Sequence, residues 1–339
     1  MQNDQFEQSE AQLTEGSGRR VAWRAFAIFG TAYVLLLAVW NGMDIALVGL
    51  GARLWPQAAE TTWFLLAANA LSLYGIALPI FCLVLKALPA SAPEQHRMGG
   101  GRFMICVLMC FALMIAGNVA GMIVTGLIQL ATGAETINTA YDLLTSGENL
   151  AVLLISVGVL APIFEELICR RIMINRLRCY GQKTALVVSS LAFAGLHGNL
   201  SQFFYAFALG MFFGFLYLRT GRLRYSIALH MTINIAATVV SALAAPLLDF
   251  ADVGAQELLS IGLPALLQMM AAFLLVMLEY GCALAGLVLL ILRRDSFVLP
   301  GGEEHPIPRG ERLRTIVLNP GMLLAAAAAI ALFAAGYIV

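Results

Sequence analysis

Long apolar runs separated by short polar connections set the pattern of this chain. A helix needs about 17 to 25 apolar residues to cross a bilayer. Runs of that kind fall near residues 22–47, 62–86, 103–131, 149–169, 184–200, 202–219, 225–247, 262–292 and 316–338. The pattern therefore predicts an all-α polytopic membrane helix bundle of about nine transmembrane helices. Lys and Arg gather in alternate connections. Arg19, Arg20 and Arg24 open the first helix, and Lys86, Arg97 and Arg102 follow the second. Arg170, Arg171, Arg176, Arg178 and Lys183 then share a side with Arg219, Arg222 and Arg224, and with Arg293, Arg294, Arg309, Arg312 and Arg314. The other connections carry Glu135, Asp142 and Glu148, or Asp249, Asp252 and Glu257, with Arg53 as the exception. Basic connections stay in the cytoplasm, so an odd helix count leaves the N-terminus inside and the C-terminus outside.

Composition narrows the class. Hydrophobic residues make up 60% of the chain and charged ones 12%, with a mean hydropathy of +0.85, whereas charged residues are about a quarter of a soluble domain. No soluble enzymatic domain stands out, and the zero formal net charge gives no sign of a nucleic-acid partner. Residues 1–20 read as a disordered cytoplasmic tail, lacking the basic start and short apolar core of a secretory signal. Hydrophilic breaks at 89–101 and 299–310 are the expected module boundaries. The six cysteines lie in or beside apolar segments without a disulfide spacing, and Cys106 and Cys110, four apart on one helix, lack the His or acidic company of a metal site.

Two adjacent carboxylates end the apolar run 151–164, where a lipid-embedded helix should carry no charge: Glu165 and Glu166. An acid at bilayer depth costs about 2.5–3.5 kcal/mol on insertion scales, so the pair implies a polar cavity or a partner. Consecutive helical residues differ by about 100°, so the two carboxylates must do different work. Glu166 precedes Arg170 by four residues, the favourable order for an intrahelical ion pair, which leaves Glu165 the freer group. Pro162 removes a backbone donor and favours a bend just before them. Of the four histidines, His96 and His305 fall in polar loops, whereas His197 and His230 fall on later apolar helices. Helical spacing sets Phe193 over His197, and Asn234 beside His230. With a turn near 178–183, Glu165 and His197 each lie about 20 Å from it. His230 lies only about 9 Å beyond Arg224 by the same rise, so the hairpin of the fourth and fifth helices must extend past the next turn if the three are to meet.

In order and spacing, Glu165-Glu166-x-x-x-Arg170, Phe193-x-x-x-His197 and His230-x-x-x-Asn234 resemble the CPBP family of intramembrane proteases, which includes CAAX prenyl endopeptidases and Abi-like bacteriocin-processing enzymes. The resemblance covers roughly 148–245. It implies a CPBP-like catalytic core at 146–247 between transmembrane segments 21–145 and 248–339, and hydrolysis of peptide bonds by water in a membrane cavity. The family's water-activating glutamate falls on Glu165 and its helper histidine on His197. Its oxyanion-binding histidine and asparagine fall on His230 and Asn234, with Glu166, Arg170 and Phe193 supporting them. The implied substrate is a membrane-associated protein or peptide, and no cofactor is required.

Rival readings stay open on the sequence. Glu165, His197 and His230 also make a His2Glu set of the kind that holds catalytic zinc, although no His-Glu-x-x-His motif occurs. A nonenzymatic scaffold or immunity protein would keep the same helices, and an ion-coupled transporter would predict repeated halves with broken helices, of which the sequence gives no sign. Asp44 and Glu279 are further acids in apolar runs, expected to bond a neighbouring helix. Absence of organellar targeting points to a bacterial-type inner or plasma membrane.

Overall fold

A computed structural model describes residues 2–134, 143, 149–248, 262–299, 301 and 307–337. The acidic connections around Glu135, Asp142 and Glu148, and around Asp249, Asp252 and Glu257, lie outside the described residues, as does His305. Within them the long helices are α1 (Gln2–Leu54), α2 (Thr62–Leu85), α3 (Gly100–Thr132), α4 (Leu150–Tyr180), α5 (Gln182–Leu196), α6 (Leu200–Thr220), α7 (Leu223–Leu248), α8 (Leu263–Leu292) and α9 (Pro320–Ala335). The described residues contain no strand. The polar stretch expected as a disordered tail is helical from Gln2 and continues into α1; Gln, Glu, Ala and Leu, which recur along it, are strong helix formers.

The expected count of about nine spans is not confirmed. Seven helices among the described residues are long and apolar enough to cross a membrane: α1 from Gly18, α2, α3, α4, α6, α7 to Ala244, and α8. The other two have 15 and 16 residues, which at ~1.5 Å per residue falls short of a ~30 Å hydrocarbon core. Two glycines at positive φ, Gly181 and Gly198, bound α5. The apolar run read as continuous through 184–200 is cut there.

The basic connections collect at one end of the bundle. Arg19 pairs with Glu311 at 3.2 Å, Arg176 donates to the Leu85 carbonyl, and the Ser91 and His96 amides donate to the carbonyls of Asn175 and Thr220. Gln182 reaches Gly301, and Arg219 reaches Val298. Basic connections far apart in the sequence thus cluster in space.

Two apolar clusters build the interior. One joins α1, α2, α4, α5 and α9 through Phe26, Phe29, Phe81, Met173 and Phe193. The other joins α3, α6, α7 and α8 through Phe111, Met114, Phe213, Leu229 and Ile233. Helices before and after the 146–247 segment therefore interleave with it. Lipid tails offer little hydrophobic drive for association, so contact depends on small residues that let backbones approach. A Cβ on Gly117 or Gly121 of α3 would collide with the backbone of Tyr205 or Ser201 on α6, and one on Gly286 of α8 would collide with Leu108 of α3.

Candidate active site

The acids, histidines and arginine converge on the seam between these clusters. Along α4 the helix widens to i→i+5 spacing over Leu154–Leu160 and again over Leu167–Ile174, with Pro162 between. In the first widened stretch the Ala161 amide donates to the Ser156 carbonyl. The next donor would be residue 162 to Val157, and proline has none. Asn234 of α7 fills the gap: its Nδ2 donates to the Val157 oxygen at 2.9 Å. One side chain thereby satisfies the break in α4 and ties it to α7.

Glu166 is fully buried and accepts from Arg170 Nε at 3.0 Å across one helical turn. The Arg170 guanidinium is also buried and lies 5.1 Å from the centre of the Phe193 ring and 5.9 Å from that of Phe213. Its Nη1 and Nη2 make no hydrogen bond among the described residues, so the aromatic faces are what surrounds its outer edge. This explains how a charge pair is kept in a membrane interior.

His230 of α7 bridges the two glutamates. Its Nδ1 lies 3.3 Å from Glu166 Oε1, and its Nε2 lies 3.7 Å from Glu165 Oε2. The Glu165 side chain is 20% exposed, against 0% for Glu166, so the second carboxylate is enclosed and the first is partly open. Phe193 stands edge-on to both imidazoles, with centroids 5.0 Å from His197 and 5.6 Å from His230, and Phe213 stacks on His230 at 5.3 Å. His197, at the C-terminal end of α5, has Nδ1 2.9 Å from the Phe193 carbonyl. With Nδ1–H donated there, Nε2 is left as an acceptor.

The depth condition set by helix rise is met. The Tyr217 hydroxyl donates to Asn175 Oδ1 at 3.0 Å, so the α4–α5 hairpin continues past the level at which α6 turns into α7. His230 is thereby brought level with Glu165 and Glu166.

Every sequence-selected position except Asn234 has its side chain in this cluster, and Asn234 is one turn along α7 from His230. Three contributors escaped the sequence reading. Tyr74 of α2 stacks on Phe164 at 4.3 Å, and Tyr205 of α6 lies edge-on to His197 at 6.3 Å; both are within electrostatic reach of Glu165. Phe213 is the third. None stands at a motif spacing from the acids or histidines, and a tyrosine within an apolar run was the only available signal. Asp44 Oδ1 and Glu279 Oε1 have no hydrogen-bond partner among the described residues, so the expected bond to a neighbouring helix is not found at these oxygens.

Among the described residues no three His, Cys, Asp or Glu side chains form a metal-binding group. In the Glu165, His197 and His230 set, His230 Nδ1 lies on Glu166 and His197 Nδ1 on a carbonyl, and the Nε2 atom of each is left for other partners.

Comparison with known proteins adds a family. Residues 147–236 match the family model described as Rce1-like, type II CAAX prenyl endopeptidase. The matched segment runs from the start of α4 into α7 and contains every residue of the cluster on those helices, including Asn234. The match supports a place in the CPBP/CAAX protease family, and the seven long apolar helices accord with an integral membrane protein. No curated protein and no solved structure gives a match to the chain. The family implies a protease.

Proposed function

We propose that this protein is an intramembrane endopeptidase that hydrolyses peptide bonds of membrane-associated proteins or peptides, with water activated by Glu165 and His197. The observation that carries the reading is the division of labour between adjacent carboxylates. Glu166 is locked by Arg170 and His230, while Glu165 is partly open beside the same imidazole. Glu165 takes a proton from water, which is oriented by a hydrogen bond to His197 Nε2, and the hydroxide adds to the scissile carbonyl carbon. His230 faces Glu166 through Nδ1 and turns Nε2 toward Glu165 and the oxyanion. Asn234 gives one amide hydrogen to Val157 and offers the other. A preorganised donor of this kind is worth about 3–4 kcal/mol in the transition state. Glu165 then passes its proton to the leaving nitrogen as the C–N bond breaks, which balances the step and regenerates the carboxylate.

No step in this scheme passes through a metal. The basic end of the bundle is cytoplasmic in this reading, with the N-terminus inside, the C-terminus outside and a bacterial-type inner or plasma membrane as the setting. The test compares new peptide termini in membranes containing wild type or Glu165→Gln at equal abundance, followed by cleavage of the recovered peptides by purified protein with and without a metal chelator. Loss of turnover by at least a hundredfold in the variant, with wild-type activity retained in chelator, is expected. Equal termini from both folded proteins would overturn the protease reading in favour of a scaffold that binds a partner, and loss of wild-type activity in chelator would overturn metal independence.

A further inference from the structure

An arginine-lined cavity lies at the basic end of the bundle, outside the proton-transfer cluster. Its volume is about 370 Å³ and its walls are Arg171 and Asn175 of α4, Tyr217 of α6, the turn Gly221–Arg222, the first residues of α7, and Ala92 and Gln95 of the α2–α3 connection. Three arginines line it, Arg171, Arg222 and Arg224, and no acidic side chain does. The nearest acid along the connecting loop, Glu94, is 92% exposed at its side chain and pairs with His96 at 3.7 Å.

Asn175 and Arg222 carry donors of this cavity that are not saturated among the described residues. Asn175 is only 9% exposed; its Oδ1 accepts from Tyr217, and its Nδ2 donates to no described residue. Arg222 Nε is buried without a partner, which costs about 1–3 kcal/mol or more for a charged donor in a protein interior. The cavity also faces the first turn of α7, and a helix N-terminus favours an anion.

The wall opposite the helices is held in place. The Ser91 and His96 amides donate to the carbonyls of Asn175 and Thr220, the Met98 amide donates to the Tyr225 hydroxyl, and Arg178 donates to Ser91 and Ala92. Gly221, at φ 59°, lets the loop backbone at Pro93 and Glu94 approach where any Cβ would collide. A cavity lined by three arginines and by no acidic side chain suits an anion.

We propose that this cavity binds a phosphate monoester group. Such a group carries nearly two negative charges and three acceptor oxygens, which suits three guanidinium groups and an amide better than the single charge of a carboxylate does. The source is either a lipid with a terminal phosphate, since the cavity opens at the bundle end where helices leave the apolar zone, or a soluble phosphate. His230 lies seven residues along α7 from Leu223, about 10 Å by helix rise, so occupancy would brace the helix that carries it.

The experiment measures thermal unfolding of the full chain in detergent with inorganic phosphate against chloride at equal ionic strength, then in nanodiscs of phosphatidylcholine with or without phosphatidic acid. A phosphate-specific rise of a few degrees is expected in wild type, lost in Arg222→Gln and in Arg171→Gln, and retained in Arg294→Gln at the same end of the bundle. Arg171 is exposed, so its variant carries the test if Arg222→Gln does not fold. Stabilisation by phosphatidic acid that removes the response to added phosphate assigns a lipid source; an equal phosphate response in both nanodiscs assigns a soluble one. No rise beyond chloride with either source, or a rise that survives both pocket substitutions, would overturn the proposal.

Discussion

Arg170 is the side chain on which the cluster depends most for stability. It is fully buried, neutralises Glu166 and lies between Phe193 and Phe213. Removing one partner of a buried ion pair strands the other charge, at a cost of about 3–5 kcal/mol. Arg170→Met should therefore lower the unfolding midpoint markedly, and Glu166→Gln/Arg170→Met together should lower it less than Arg170→Met alone; denaturation in detergent reads both. An equal midpoint for Arg170→Met and wild type would count against the pairing. The pairing was legible in the sequence, because the i, i+4 order of Glu166 and Arg170 is a local property of one helix. The bridge from His230 to both glutamates was not, because it joins residues 64 apart through the packing of α7 on α4.

Asn234 has two expected effects, which separate by readout. Asn234→Ala should lower turnover about a hundredfold or more through the lost oxyanion donor, and should also destabilise by about 1–3 kcal/mol because the Val157 carbonyl is left unpaired. In a Pro162→Ala background the backbone regains a donor. The stability cost of Asn234→Ala should then shrink while the loss of turnover persists, and a double-mutant cycle with cleavage assays at each corner checks this. An unchanged stability cost would mean that the Val157 contact is incidental.

At the scale of elements, widened turns and glycine contacts decide how the helices meet. Gly117 and Gly121 bring α3 against α6, whose other residues carry Tyr205 and Phe213 into the site. Gly117→Val should force these backbones apart, reducing both thermal stability and turnover, whereas Gly126→Val on the same helix, where a Cβ meets nothing, should change stability by less than about 1 kcal/mol. Unfolding midpoints in detergent compare the two directly. Apolar periodicity located these helices, although α5 and α9 are shorter than a full span. Hydropathy sums over Gly198 without registering that its left-handed backbone follows the end of α5.

For the whole molecule, charge gives a direction. Residues near 19, 85–98, 175–182, 219–225 and 298–311 meet at one end, and basic residues mark the cytoplasmic face. In a variant lacking its native cysteines, a single cysteine placed at Gln95 should resist a membrane-impermeant maleimide in intact cells and react after permeabilisation. One placed at Glu60, beyond the far end of α1, should react without permeabilisation. The reverse labelling would invert the topology and move the arginine-lined cavity to the outer face.

The sequence by itself determined the all-helical membrane class, the clustering of basic connections and the residues of the candidate site, because these depend on local quantities: apolar run length, loop charge and spacing along a single helix. Tertiary structure decided that seven helices have full spanning length among the described residues, that His230 lies between Glu165 and Glu166, and that Asn234 repairs the break at Pro162. It also gathered Arg171, Arg222 and Arg224 around one cavity. Those results depend on where helices end and which faces they turn toward one another, and both are set by backbone approach at small residues and by satisfaction of buried polar groups across segments far apart in the chain.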